Sequence, residues 1–152
     1  MNDTFFITMT TRGSWLHGDE RGSFDSEGNF IPPSIELFEK EKSSMNHSAF
    51  AFTPPMKEVV RQAFQEVVQQ KGWKIYAITV QSNHVHIALL VSHQKGEYVR
   101  NALKSKATMR LRKANLISPT YEPWTRLGNI VTVRDSKSLN SICRYIEKHQ
   151  EP

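Results

Sequence analysis

The chain is poor in the residues that mark secreted and membrane proteins. Its 152 residues include one cysteine, Cys143, so an internal disulfide cannot form, and no C-x-x-C pair or zinc-ribbon pattern occurs. There is no run of about eighteen apolar residues, and no charged-then-apolar leader follows Met1. These absences predict a cytoplasmic protein with neither a membrane span nor a secretion signal.

Glycine is concentrated in one segment. Residues 11–53 contain four of the seven glycines and show no sustained apolar period. The segment therefore predicts a long loop insertion, with one short helix at 35–42, and loops of this length are usually functional or mobile. Within it, the adjacent acids Asp19 and Glu20 are compatible with a solvated loop or with an approach to a cation.

The remaining residues alternate between strand and helix patterns. Residue types and periods predict strands at 4–10, 74–80, 84–92 and 129–134, and helices at 53–72, 98–114 and about 136–149, the last capped by Ser136 or Ser138. This β-α-β-β-α-β order, with an additional C-terminal helix, predicts an α+β, ferredoxin-like antiparallel sheet with helices on one face. The first and third strands would be central. No internal repeat or second hydrophobic core is visible, so we predict one domain over 1–152.

Two histidines interrupt the apolar strand at 84–92. In Asn83-His84-Val85-His86-Ile87, the two imidazoles are two residues apart, so they point to the same face of the strand. One interpretation is a pair of strand histidines bonded to backbone or water. The other is a shared cation, which would satisfy two polar rings that enter a strand buried on both sides.

The positive charge is concentrated in the second predicted helix. The chain has a net charge of +5, and residues 95–113 hold seven basic residues against the single acid Glu97. Such a segment favours a polyanion such as nucleic acid, although a solvated helix face is the alternative. Arg110 falls inside the apolar stripe of this helix, so it must snorkel or meet a ligand. The candidate DNA-binding residues are Arg100, Lys104, Lys106, Arg110, Arg112 and Lys113.

The last predicted helix carries a tyrosine beside its apolar stripe. Leu139, Ile142, Cys143 and Ile146 form that stripe at spacings of three and four, which makes Cys143 a core residue rather than a nucleophile. Tyr145 lies along its edge, where a tyrosine is usually a packing residue with its hydroxyl in water. Beside a two-histidine metal site, however, a phenol can attack phosphorus and form a covalent phosphotyrosine.

Together these motifs resemble a known family. Asn83-His84-Val85-His86 on a strand, a basic helix, and Tyr145-Ile146 about sixty residues later are similar to the single-tyrosine HUH transposases of the insertion-sequence 200/605 type, including the REP-associated tyrosine transposases. Residues 5–16 and 18–22 also resemble a transposase-like branch of this family. The resemblance implies a DNA transposase, or nickase-ligase, that acts on single-stranded, hairpin-marked DNA.

The resemblance also implies a role for each matching residue. Tyr145 would form a 5′-phosphotyrosine, while His84 and His86 hold a divalent cation, Mg²⁺ or Mn²⁺. Members of the family often have Gln or Asn four residues after the tyrosine. Here His149 occupies that spacing and Gln150 follows; helical geometry favours His149, because a fifth residue turns about 100° further. A third imidazole would suit Mn²⁺ better than Mg²⁺, so the identity of the metal stays open.

The implied partner is single-stranded or hairpin DNA. A homodimer is one possible assembly, in which the tyrosine would act either in its own subunit or in the active site of the other subunit. A different class of function is a non-catalytic nucleic-acid-binding module, either a domesticated transposase or an RRM-like domain. An RRM would need exposed aromatic residues on its central strands, where this chain has histidines. A plasmid-type replication initiator shares the chemistry but would be expected to come with a helicase or a long partner domain.

Overall fold

The computed structural model describes residues 2–13, 23–24, 30–31 and 50–148. In chain order the elements are β1 (Asn2–Thr11), β2 (Ser23–Phe24), β3 (Phe30–Ile31), α1 (Pro54–Lys71), β4 (Lys74–Val80), β5 (His84–Ser92), α2 (Gly96–Lys113), β6 (Trp124–Val133) and α3 (Ser136–Lys148). Apart from the two-residue strands β2 and β3, which pair with each other, this is the predicted order. The helix predicted at 35–42 lies outside the described residues.

Four of the strands form one antiparallel sheet. Their order is β4-β5-β1-β6, so β1 and β5 are central, as the ferredoxin-like prediction requires. The register between them places Thr8 opposite His86 and Thr10 opposite His84. The predicted fold class is therefore confirmed, and the histidine pair lies on a central strand.

The alternation of side chains along the strands divides the core into two layers. On one face, Val85 and Ile87 of β5 belong to a large buried cluster with Phe64 of α1 and residues of α2. On the other face, Ala88 belongs to a smaller cluster with Ile142 of α3. Helices α1 and α2 thus share one face, as predicted, whereas α3 lies over β4 and β5 on the opposite face. Among the helices that the structure describes, none is long and apolar enough to cross a membrane.

The start of the last strand was predicted wrongly. β6 begins at Trp124 rather than at residue 129, because its first part pairs with Thr11 across a β-bulge in the register with β1. Gly128 has a φ of 136° beside this irregularity, a conformation that side chains rarely allow. Because the bulge interrupts the alternation of side chains, the sequence pattern did not predict a strand for this half of β6. Trp124 is consequently a buried strand residue, with its ring centroid 5.4 Å from that of Phe52.

Helix ends follow the predictions closely, with one correction. α1 ends at Gly72, whose φ of 72° is the left-handed conformation expected at a helix terminus. Asp135, rather than Ser136 or Ser138, caps α3. Its carboxylate accepts the backbone N–H of Ser138 at 2.7 Å, and this hydrogen bond lowers the pKa of Asp135.

The chain that precedes α1 is fastened beside the histidine strand. The backbone N–H of Phe50 donates to the Arg12 carbonyl at 2.8 Å, and the hydroxyl of Thr11 donates to the Phe50 carbonyl at 2.6 Å. The N–H of Phe52 donates to the Ser82 carbonyl at 2.6 Å. Through residues 50–52, these hydrogen bonds connect the end of β1 with the turn that precedes His84 and β5.

Candidate active site

Two imidazoles lie side by side on the α3 face of the sheet. The ring centroids of His84 and His86 are 4.7 Å apart, with the planes inclined by 70°. Their position follows from alternation, since Val85 and Ile87 point into the cluster beneath α1 and α2. His86 is only 7% exposed, whereas His84, at the first position of β5, is half-buried.

Each ring has a side-chain partner at Nδ1. Thr8 Oγ1 lies 2.9 Å from His86 Nδ1, a contact that follows from their pairing across β1 and β5. Asn83 Oδ1 lies 2.7 Å from His84 Nδ1. The Phe6 ring, 5.5 Å from that of His86, flanks the site. These contacts limit rotation of both imidazoles.

Helix α3 brings Tyr145 to the same place. Its ring centroid lies 5.6 Å from that of His86, with the planes inclined by 64°. Ile142 and Ile146 hold this face of the helix against the sheet, where both are fully buried. Burial raises the pKa of the Tyr145 phenol, because the phenolate would lose hydration. The hydroxyl is therefore protonated at neutral pH, and any attack by its oxygen must displace that proton.

The donor set fits part of a metal site. Two imidazoles at this separation can share one cation, and nitrogen donors suit Mn²⁺ better than Mg²⁺. No group of three or more His, Cys, Asp or Glu side chains gathers among the residues that the structure describes. The predicted further ligands, His149 and Gln150, lie outside them. A cation at His84 and His86 would need additional donors from those positions, from solvent or from a bound phosphate.

Cys143 lies on the same helix and was predicted to be a core residue. The cysteine forms no disulfide and its side chain is half-buried. Burial raises the pKa of the thiol. The thiolate is therefore disfavoured, which agrees with packing rather than nucleophilic chemistry.

The basic residues of α2 turn to two different sides. Lys106 and Arg110 face α1, where Glu66 Oε2 lies 2.7 Å from the Arg110 guanidinium and 3.4 Å from Lys106 Nζ. The hydrogen bond from Arg110 is the main reason that the pKa of Glu66 is lowered. Arg110 therefore meets a carboxylate of its own chain. Lys113 lines the same groove between the two helices.

Arg100, Lys104 and Arg112 turn instead to a cleft between α2 and the beginning of β6. The cleft has a volume of about 670 Å³, and Arg126 also lines it. Lys104 Nζ donates to the Thr125 carbonyl at 2.8 Å. Burial, with the nearby charge of Arg100 as a second cause, lowers the pKa of Lys104 to about 8. An anion bound in the cleft would stabilise the charged form of this partly desolvated ammonium group.

Three further donors belong to residues that line this cleft. Arg100 Nε, Arg112 Nε and Trp124 Nε1 are buried and have no hydrogen-bond partner in the described part of the chain. Four cations and these N–H groups, against the one carboxylate of Glu122, suit an oxygen-rich anion such as a phosphodiester. The sequence prediction missed Arg126, because the early start of β6 could not be seen in the pattern.

The cleft and the histidines lie toward the same end of the sheet. Thr125 Oγ1 on β6 is 2.6 Å from Thr10 Oγ1 on β1. Thr10 in turn lies opposite His84 on β5. The backbone partner of Lys104 and the histidine pair therefore lie at the same end of neighbouring strands, while α2 and α3 pack on opposite faces of the sheet.

This arrangement agrees with what the chain matches among known proteins. A family model described as "Transposase IS200 like" matches residues 44–149. The matched range contains β5, α2 and all of α3, including Tyr145. The chain belongs to the IS200-like transposase family. No curated protein matches this transposase.

Two solved structures have a similar fold. A REP-associated tyrosine transposase bound to a REP hairpin superposes with a TM-score of 0.53 and 14% identity, over 95% of this chain and 64% of that chain. The IS200-like transposase therefore spans less than two thirds of that protein. A protein from Deinococcus radiodurans R1, described as a transposase, superposes with a TM-score of 0.50 and 16% identity, over 100% and 94% of the two chains. At these identities the likeness establishes the fold alone.

Proposed function

We propose that this IS200-like transposase cuts and rejoins single-stranded, hairpin-marked DNA through a covalent tyrosine intermediate. The observation that carries the proposal is the row of three rings, with Tyr145 and His86 5.6 Å apart and His86 and His84 4.7 Å apart. Phosphoryl transfer to a phenol requires a hydroxyl beside groups that can hold a cation, and this row supplies both.

Tyr145 is the proposed nucleophile. Its Oη attacks the phosphorus of a phosphodiester, so that an Oη–P bond forms while the P–O3′ bond breaks. The products are a 5′-phosphotyrosine and, once the departing oxygen takes up a proton, a free 3′-hydroxyl. The phenolic proton is lost to solvent as the bond forms, since burial disfavours prior ionisation. Attack by another 3′-hydroxyl on the same phosphorus rejoins the DNA and releases Tyr145.

His84 and His86 are the proposed ligands of a divalent cation, Mn²⁺ or Mg²⁺. When bound, the cation polarises the phosphoryl group and stabilises the negative charge that develops on the departing oxygen. His149 is the proposed third protein ligand, with Gln150 as the alternative. A third imidazole would favour Mn²⁺ over Mg²⁺.

The DNA backbone is proposed to bind in the cleft through Arg100, Lys104 and Arg112. The buried donors, the lowered pKa of Lys104 and the volume of about 670 Å³ support an anionic occupant there. Lys106 and Arg110, which the sequence also suggested for DNA binding, instead stabilise the pair of α1 and α2 through Glu66 in this proposal. Lys113 lies on that second side and has a minor role in binding DNA.

The tyrosine is proposed to act within its own subunit. The contact between the Tyr145 and His86 rings joins two residues of one chain, which supports this arrangement. A homodimer is then compatible with the activity but is not needed to assemble the site. The RRM-like alternative is disfavoured, because α3 lies over the sheet face that such a module uses to stack bases.

Covalent capture of DNA tests the proposal. Wild-type protein, Mn²⁺ and single-stranded oligonucleotides that tile the DNA flanking the gene should give a protein–DNA adduct that survives denaturing electrophoresis. Tyr145→Phe should give none, while its circular dichroism and DNA affinity stay unchanged, since the packed ring is retained. Tyr98→Phe is the matched control. Tyr98 is 45% exposed and accepts a hydrogen bond from Lys71 at 3.0 Å, so its variant should form the adduct normally.

Two outcomes would contradict the proposal. An adduct formed by Tyr145→Phe would show that another residue is the nucleophile. If the wild-type protein forms no adduct with any of the oligonucleotides in Mn²⁺ or Mg²⁺, the non-catalytic nucleic-acid-binding module becomes the better interpretation.

A further inference from the structure

The two histidines are oriented by different parts of the fold. Asn83 precedes His84 in the chain, and its Oδ1 lies 2.7 Å from Nδ1 of that ring. Thr8 is 78 residues from His86 in sequence, and its Oγ1 lies 2.9 Å from Nδ1. The first contact is local, whereas the second exists only because β1 and β5 pair in this register.

Thr8 is held firmly in this position. Its side chain is 4% exposed, and the neighbours in the strand, Ile7 and Met9, are fully buried on the opposite face. A register shift of one residue would move both of these side chains out of the larger core and onto the α3 face, so the pairing of Thr8 with His86 is strongly specified. The hydroxyl therefore stands at a fixed place behind the His86 ring.

The chemistry of the two partners determines which nitrogen can bind a cation. A neutral imidazole carries one N–H, and its other nitrogen has the lone pair that ligates a metal. The Asn83 carbonyl oxygen only accepts, so this contact is a hydrogen bond when His84 carries its hydrogen on Nδ1, which leaves the lone pair on Nε2. A threonine hydroxyl can accept as well as donate. If Thr8 accepts, His86 has the same tautomer as His84, and both rings present Nε2 lone pairs.

We propose that Thr8 is a positioning residue of the metal centre, which accepts the Nδ1–H of His86 and thereby makes Nε2 the ligand atom. Asn83 does the same for His84. This inference rests on the proposed function, because it concerns the cation that the two histidines hold. Partners of this kind behind a ligating histidine fix its tautomer and raise its basicity, and their loss commonly weakens metal binding about 10- to 100-fold.

Thr8→Val tests the inference most directly, because valine keeps the branched shape but cannot accept a hydrogen bond. We expect Mn²⁺ affinity, measured from the free Mn²⁺ signal in electron paramagnetic resonance titrations, to fall about 10- to 100-fold. Thr8→Ser retains the hydroxyl and should stay within about threefold of the wild type. Thr4→Val is the matched control. Thr4 lies four residues earlier on the same face of β1, opposite Leu90, and its variant should bind Mn²⁺ normally.

The tautomer itself can be read in the wild-type protein, which keeps the inference testable if Thr8→Val does not fold. Ring ¹⁵N spectra with saturating Mg²⁺ should show His86 protonated at Nδ1. A His86 ring protonated at Nε2 in that spectrum, or unchanged Mn²⁺ affinity in Thr8→Val, would overturn the role of Thr8. If the folded wild-type protein binds neither Mn²⁺ nor Mg²⁺, the metal site of the proposed function is refuted instead.

Discussion

Replacing Arg100, Lys104 and Arg112 together by glutamine should weaken hairpin DNA binding far more than replacing Lys106 and Arg110. The two sets lie on one helix, and sequence alone treats them alike. The structure separates them, because the first set lines the cleft and the second contacts the Glu66 carboxylate at 2.7 and 3.4 Å. Charges already paired within the protein have less to gain from a phosphate.

The salt dependence of binding gives the magnitude. Each phosphate contact contributes about 0.7 to 0.9 to the slope of log affinity against log salt, so three lost contacts reduce the slope by roughly 2 to 3. Over a fourfold rise in salt, the wild type should then lose about 20- to 40-fold more affinity than the cleft variant does. Replacing Lys106 and Arg110 should leave the slope unchanged and have only a small effect on the free energy of unfolding, as expected for exposed ion pairs.

Fluorescence anisotropy with a labelled hairpin at several NaCl concentrations measures the slope, and urea unfolding of each variant checks that it is folded. Equal changes of slope in the two variants would refute the division of α2 into two sides. A smaller slope only in the variant of Lys106 and Arg110 would show that these two residues, and not the cleft residues, contact the DNA backbone.

Three other predictions follow from named contacts. Mixing Tyr145→Phe with His86→Ala should not restore adduct formation if the tyrosine acts in its own subunit, and restored adduct would indicate exchange between subunits. Since the pKa of Lys104 is lowered to about 8, its charge is present below that pH and is lost as the pH rises through it. Hairpin affinity should fall between about pH 7 and pH 9, less so in Lys104→Arg, and an equal fall in both would exclude Lys104 as the cause. Gly128→Ala should lower the free energy of unfolding by roughly 2 to 3 kcal/mol, because its φ is 136° and a Cβ would overlap the Thr8 carbonyl oxygen. Gly72→Ala, with a φ of 72° and open space around it, should cost about 1 kcal/mol, and equal losses in urea unfolding would show that the bulge relaxes.

Local patterns predicted most of the elements. The strands at 74–80 and 84–92 were predicted with the bounds that the structure has, and Gly72 ends the first helix as expected. Short-range rules suffice for these features, because a period of two or 3.6 residues and a left-handed glycine are properties of a few consecutive residues. For the same reason, the sequence predicted that His84 and His86 share a strand face.

Features that depend on distant residues were not visible in the sequence. The first half of β6 contains the irregularity in its pairing with β1, so its pattern does not alternate regularly. Arg110 meets Glu66, 44 residues away, and nothing in the spacing of either residue indicates the other. The cleft combines α2 with residues of β6 that precede the predicted start of that strand.

The sequence by itself determined the order of the elements, the common face of the two histidines and the concentration of positive charge between them and Tyr145. These are periodic or compositional properties, and they survive any error in how the elements pack. Only the tertiary structure decided that α3 lies on the histidine face, that Thr8 stands behind His86, and that the basic helix divides its charges between Glu66 and a cleft. Each of these depends on strand register and helix docking, which arise from burial of apolar faces across long sequence separations and leave no short-range signature.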